Sequence, residues 1–297
     1  MTSNDIASTG PYAETGASVR SRMIDEAVLE AGRLFEEVRA TKGIPLADLR
    51  RNVIPMIQEA ISGDTPLFGL FSALQAKDDY TYRHHFAVGA IASLIGKWVG
   101  LERQEQLQLT TAALLHDVGK MLIPEDVLNK PGKLTADEYT VMKSHTVMGY
   151  ELLKRTVGLT HRQALVALQH HERLDGSGYP FGVTENKIDG FSRIVSVADM
   201  FHAMTSKRVY RDPSPFYEVL FQMERDTFGM LDPAITRLFV EKIMHSLIGQ
   251  SVLLTDGREG VIVMVNVQEP LHPLIQIGSS FVDLSKESSV YVKQIFA

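Results

Sequence analysis

The sequence predicts a mainly α protein: a helical bundle with a helical segment before it and a small β module after it. Three observations carry this. Apolar residues recur at helical spacing early in the chain, helix-like stretches separated by Gly and Pro breaks fill the middle, and short β-branched runs follow Gly249. With 297 residues, 44% hydrophobic and 22% charged, the composition is ordinary for a globular protein and the length suits about two domains.

Met1 to Ser18 mix Ser, Thr, Gly and Ala without apolar period and read as a frayed leader, residues 1–18. From Arg20 to Arg39, Met23, Ala27, Ala31, Leu34 and Val38 share one helical face, and a second helix is expected from Leu46 to Ser62. These make an N-terminal helical segment over residues 19–72. The main domain is expected over 73–248, with breaks at Gly100, Pro131-Gly132, Asp175 to Pro180 and Pro213 to Pro215. Within it Thr135 and Glu138 form a capping box that opens the helix carrying His145. After Gly249, Ser251 to Leu254, Gly260 to Val265, Leu274 to Ile277, Phe281 to Leu284 and Val290 to Ile295 read as strands of a barrel-like module, residues 249–297. The sequence holds no internal repeat.

Lys and Arg total 30 against 36 Asp and Glu, a formal charge of -6. That argues against a nucleic acid polymer as partner, because counterion release needs a net basic surface. A small anionic ligand stays open, since a local basic cluster can bind phosphate on an acidic protein. With no cysteine there is no disulfide and no thiolate ligand, so any metal must be held by His and carboxylates. The N-terminus lacks a basic start with an apolar core, and no apolar run approaches the roughly 18 to 20 residues that cross a membrane. The expectation is a cytoplasmic protein without membrane contact.

Ten histidines are present, several beside carboxylates in apolar stretches where an unpaired polar group is costly to bury. His116 and Asp117 end an apolar helix face and are followed by Gly119 and Lys120. Such a pair offers a neutral nitrogen ligand and a hard oxygen able to bridge two cations, with a lysine in reach of a phosphate oxygen. Alone it is a weak motif, and a surface pair at a helix end explains it better. His84 continues an apolar stripe through Val88, Ile91, Ile95 and Trp98, where a satisfied core histidine is the usual finding. His170 and His171 precede the Asp175 to Pro180 turn; adjacent helical residues point about 100° apart, so only near a helix end can both face one ion. Asp199 is a carboxylate in an apolar helix, for which an interior salt bridge is the alternative.

In order, the segments KDDYTYRHH, LLHDVGK, HTVMGYELL, HHERLDGSGYP and VADMFHAMTSKRVYR run from about Leu74 to Arg211. This arrangement resembles the HD-GYP subgroup of HD-domain phosphohydrolases, which hydrolyse cyclic di-GMP. The resemblance implies an HD-domain helical bundle in which His84, His116, Asp117 and Asp199 hold one metal ion. His145, His170 and His171 would hold a second, with Asp117 bridging, and the ions would be iron or manganese; imidazole and carboxylate alone also permit zinc or nickel. It further implies a catalytic role for Asp117 and Lys120, and phosphate contacts from Arg208 and Arg211, for which a solvated helix end is the plain alternative. Gly178, Tyr179 and Pro180 would face the substrate, with Tyr179 as a stacking ring; a simple helix-ending turn fits those residues equally.

Three positions depart from the pattern. Tyr80 stands where some members carry a glutamate for a third metal, which points to two ions. His85 stands where Ser is common and reads either as an added group behind the ligands or as a partly exposed histidine. His202 replaces a common Asp and puts support of the Asp199 helix in question. Glu172 keeps two readings, an acceptor behind a ligand histidine or a partner of Arg173. The implied activity is a two-metal phosphodiesterase opening cyclic di-GMP to linear pGpG, with onward cleavage to GMP open. The alternatives are the same chemistry on another cyclic dinucleotide or nucleotide, and a non-hydrolytic cyclic di-GMP sensor, against which the complete ligand set argues. No receiver or other input domain is recognised, and a homodimer and signalling protein partners remain open.

Overall fold

The structure is a computed structural model that describes residues 16–62, 67–75, 80–206, 215–226, 229–287 and 289–296. Helix α1 (Gly16–Thr41) buries Ala27, Ala31, Leu34 and Val38 of the expected face together with Ile24 and Phe35, and Met23 is partly buried. The second expected helix is broken into α2 (Leu46–Asp48) and α3 (Ile54–Ala60) by a π-helical turn, Leu49–Val53, just before Pro55. A proline has no N–H to give, so the regular ladder ends there. Then come α4 (Leu67–Leu74) and α5 (Tyr80–Trp98). The expected stripe on α5 is in fact a helix buried on every side from residue 83 to 96. The reason is its place: α1, α3, α6 (Arg103–Leu114), α11 (Gly190–Thr205) and α13 (Pro233–Ser246) all pack around it.

A 3₁₀ turn (Val118–Leu122) and α7 (Glu125–Leu128) lead to α8 (Ala136–Lys143), α9 (His145–Lys154) and α10 (His161–Gln169). The Thr135–Glu138 capping box is present, with Thr135 N to Glu138 Oε2 at 2.7 Å. The helix it opens does not carry His145, contrary to expectation. It stops at Lys143, and His145 begins α9. Side chains cause the break: Ser144 Oγ donates to Val141 O, His145 Nδ1 lies 2.7 Å from Met142 O, and Thr146 Oγ1 donates to Lys143 O. These donors take the last carbonyls of α8, in competition with backbone amides.

Helix α12 (Phe216–Asp226) joins α4, α11 and α13 through Phe71, Phe201, Phe216 and Phe239, whose rings meet largely edge to face. Each such pair adds about 0.5–1.5 kcal/mol beyond its burial. The C-terminal strands β1 (Ser251–Leu254), β2 (Glu259–Met264), β3 (Leu274–Ile277), β4 (Ser280–Asp283) and β5 (Val292–Phe296) form one antiparallel sheet in the order β4-β3-β2-β1-β5. Among the described residues no β4–β5 pairing closes it, so the module is an open sheet rather than a barrel. Its buried Val252, Ile262, Ile275 and Val292 join the hydrophobic core of the helices, and the Tyr217 hydroxyl donates to Leu271 O. Among the described residues no helix is long and apolar enough to cross a membrane.

Candidate metal centre

Seven side chains singled out in the sequence come together from five places in the chain. His84 arrives on α5, His116 and Asp117 at the end of α6, His145 at the start of α9, His170 and His171 at the end of α10, and Asp199 from α11. They form two groups whose ligand-type atoms lie within 4.8 Å of one another: His84, His116 and Asp199, and Asp117, His145, His170 and His171. Asp117 stands between them. Its Oδ2 is 3.3 Å from His116 Nε2 and 3.7 Å from His84 Nε2, while its Oδ1 is 3.1 Å from His145 Nε2 and 3.5 Å from His170 Nε2. The two adjacent histidines do converge, ring centroids 4.0 Å apart, because His170 caps α10.

Backbone carbonyls decide which ring nitrogens are bare. His116 Nδ1 lies 2.7 Å from Ala113 O, His145 Nδ1 2.7 Å from Met142 O, and His170 Nδ1 3.1 Å from both Val166 O and Ala167 O. A carbonyl only accepts, so each Nδ1 carries the proton and each Nε2 presents a lone pair. Those three Nε2 atoms and Asp117 Oδ1 are buried without a hydrogen-bond partner. Lone pairs facing one another in a buried site repel unless a cation or a proton lies between them. The donor set of imidazoles and carboxylates therefore fits a divalent metal ion.

Electrostatics agree. Burial, the largest influence, opposes ionisation of Asp117 and Asp199, yet both carboxyls are held well below the usual range. Lys120 and His116 do this for Asp117, and His84 for Asp199. Burial keeps His84 and His171 neutral and pushes His170 down to about 4. His116 alone is raised: burial lowers it, but Asp117 and Asp199 outweigh that. Both carboxylates are thus ionised and His84, His170 and His171 neutral, the forms in which they can hold a metal ion, while His116, drawn toward its protonated form, would give up that proton on metal binding.

His84, Asp117, His145, His171 and Asp199 line a cavity of about 330 Å³ together with His85, Lys120, Leu128, Met142 and Tyr179. The Lys120 ammonium sits against Asp117 Oδ2. Tyr179 stacks on His171 at 4.6 Å, so one face of its ring is already taken, and burial holds its hydroxyl protonated. Pro180 follows through a cis peptide bond. A Cβ at Gly178 would strike His171 O, Arg173 N and Glu172 Cα, so the loop closes only with glycine there. Arg208, Arg211 and the Tyr80 side chain lie outside the described residues.

His85 is fully buried, which removes the partly exposed reading. His202 supports His84 rather than the Asp199 helix, with the two Nδ1 atoms 2.9 Å apart and His202 Nε2 3.2 Å from Leu74 O. Glu172 fits neither of its expected roles. Buried at 3% exposure, it accepts from Phe181 N at 2.8 Å and Val183 N at 3.1 Å, clamping the loop that carries Tyr179. An acid at the head of a glycine-rich turn was the available signal. Glu172→Gln is expected to cost about 1–3 kcal/mol of local stability. Hydrogen exchange at residues 176–183 should quicken while metal content stays at the wild-type level; unchanged exchange would remove the clamp.

A helical bundle that gathers histidines and aspartates around a His-Asp pair at a helix end defines an HD domain. The chain belongs to the HD-domain family, whose model matches residues 67–235, and its resemblance to the HD-GYP subgroup is borne out by its relatives. It is 34% identical over 244 residues to a cyclic di-GMP phosphodiesterase of Pseudomonas aeruginosa, covering 82% of this chain and 58% of that one. It is 44% identical over 165 residues to the cyclic di-GMP phosphodiesterase response regulator RpfG of Xanthomonas campestris pv. campestris, covering 55% and 44%. A 3'3'-cGAMP-specific phosphodiesterase of Vibrio cholerae is 36% identical over 173 residues, covering 57% and 39%. The chain thus spans about half the length of these relatives. In fold it is similar to an HDG"Y"P protein from Bdellovibrio bacteriovorus, with TM-score 0.60, 16% identity and coverage of 77% of this chain and 72% of that one.

Proposed function

We propose that the chain is a metal-dependent phosphodiesterase that opens cyclic di-GMP to linear pGpG. The observation that carries this reading is the set of three bare, buried Nε2 atoms, of His116, His145 and His170, gathered within 3.5 Å of the two oxygens of Asp117. His84, His116 and Asp199 would hold one divalent ion and His145, His170 and His171 the other, with one oxygen of Asp117 turned to each. Divalent ions held there would supply a lowered water pKa and positive charge for the phosphoryl oxygens.

Lys120, at the cavity wall beside Asp117, brings a positive charge to a non-bridging phosphate oxygen and a proton for the leaving group. Tyr179, Leu128 and Met142 give the cavity an apolar side for a base, and the neutral Tyr179 hydroxyl is a hydrogen-bond donor. Arg208 and Arg211 would take the second phosphate. The ions would be iron or manganese, and the chain would act in the cytoplasm. Metal analysis of anaerobically purified protein, with turnover of cyclic di-GMP and 3'3'-cGAMP measured side by side, tests this. A wild-type chain without bound metal and turnover would overturn it. The similarity to the Vibrio cholerae enzyme favours a second reading, the same chemistry on a mixed cyclic dinucleotide.

Selectivity should lie in groups around the ions, since metal ligands alone act on many phosphodiesters. Tyr179→Ala and Arg208→Ala are each expected to weaken cyclic di-GMP turnover about 10- to 100-fold, mainly through KM, a loss of about 1.4–2.7 kcal/mol. Metal content and hydrolysis of a small generic diester such as bis(p-nitrophenyl) phosphate should hardly change. Equal losses on both substrates would make these residues supports of the metal site.

A further inference from the structure

Four histidines present a buried Nε2 without a hydrogen-bond partner, and the two ligand groups account for three of them. The fourth is His85. Its Nδ1 lies 3.0 Å from Leu114 O, which makes Nδ1 the donor and leaves a lone pair on Nε2. Phe35 of α1 stacks on the ring at 4.1 Å with planes 25° apart, which fixes how the imidazole stands. The ring centroid is 5.6 Å from that of His116, and the side chain lines the same cavity as Asp117, Lys120 and Asp199.

Packing alone does not explain an imidazole here. The bond to Leu114 O accounts for Nδ1 but not for Nε2, whose buried lone pair a phenylalanine, stacking on Phe35 equally, would not have. Nor does His85 stand among either set of mutually close ligand atoms. The nearby ammonium, that of Lys120, is engaged by Asp117. What remains to satisfy a buried acceptor at the wall of a polar cavity is confined water.

We propose that His85 is a positioning residue of the first ligand group: its Nε2 accepts a hydrogen bond from water held in the cavity beside His84, His116 and Asp199, and so tightens that group's grip on its cation. The inference rests on reading the two groups as a two-ion centre. Through Phe35 it also makes α1 part of the wall that sets the affinity of the first ion.

The test is Mn²⁺ titration of the metal-stripped full chain, followed by the electron paramagnetic resonance signal of free Mn²⁺. Wild type should take two ions. His85→Phe should take one as wild type does and the other about 10- to 100-fold more weakly. His85→Gln, whose side-chain oxygen reaches roughly where Nε2 stands, should recover most of the loss. Wild-type affinity for both ions in His85→Phe would overturn the inference. So would a loss in His85→Gln equal to that in His85→Phe, which also covers a Phe variant that melts early. A wild-type chain that takes up no Mn²⁺ would overturn the two-ion reading itself.

Discussion

Asp117→Ala protein is expected to lose both metal ions together and to fall in turnover by more than about 10³-fold. The size follows from geometry. One carboxylate turns an oxygen to each group, 3.3 Å from His116 on one side and 3.1 Å from His145 on the other. Each ion contributes several kcal/mol to the charge building on phosphate, and about 1.4 kcal/mol is a factor of ten in rate. His116→Ala, which removes a ligand from one group only, should empty mainly one position. Asp117→Asn separates charge from shape: it keeps the side-chain outline but offers one neutral oxygen, so metal content should still drop. Elemental analysis beside cyclic di-GMP turnover reads both effects. An Asp117→Ala protein with two ions and wild-type rate would sink the bridging role.

Gly119→Ala should be almost as damaging although it removes no ligand. The backbone of Gly119 lies against His145 O and Gly149 N of α9, so an added methyl meets main chain that cannot rotate away. Overpacking of this kind costs about 1–3 kcal/mol, and the rigid neighbour argues for the upper end. The Tm should fall by several degrees, at roughly 2–4 °C per kcal/mol. The strain also has a direction. It pushes the turn that carries Asp117 away from the helix that carries His145, two groups whose contact spans the second ion site. Loss of metal should therefore fall first on the His145, His170 and His171 group. A variant with unchanged Tm and full metal content would show that the 118–122 turn can slide on α9 without cost.

Each ligand candidate stands in a local pattern that drew notice but had a plainer explanation by itself, and only the five ordered segments together, through the family resemblance, made them ligands. His116 and Asp117 close an apolar helix, His170 and His171 sit at a helix end before a glycine-rich turn, and Asp199 interrupts an apolar face. The helical body with strands after Gly249 could be read from a switch in periodicity. Errors fell where side chains act on backbone some distance off. Nothing periodic marks the stop of α8 at Lys143, which depends on three side chains capping carbonyls. Burial of α5 on all sides depends on five helices that surround it, not on its own pattern.

What the sequence by itself determined was the inventory: no thiolate ligands, an anionic balance, histidines and aspartates in five ordered segments, and a mostly helical frame to hold them. The tertiary structure decided how that inventory is used. Only packing turns the two oxygens of Asp117 toward different histidines, and only carbonyls met in the fold select which imidazole nitrogen is bare. His202 reaches Leu74 O across 128 positions, and Glu172 closes a loop nine and eleven residues ahead. The physical reason is range. Periodicity, capping and turn chemistry act within a few residues and leave a trace in order along the chain. A metal pocket is made of contacts between distant segments, set by which buried polar atoms have no other partner, and that exists only once the chain is packed.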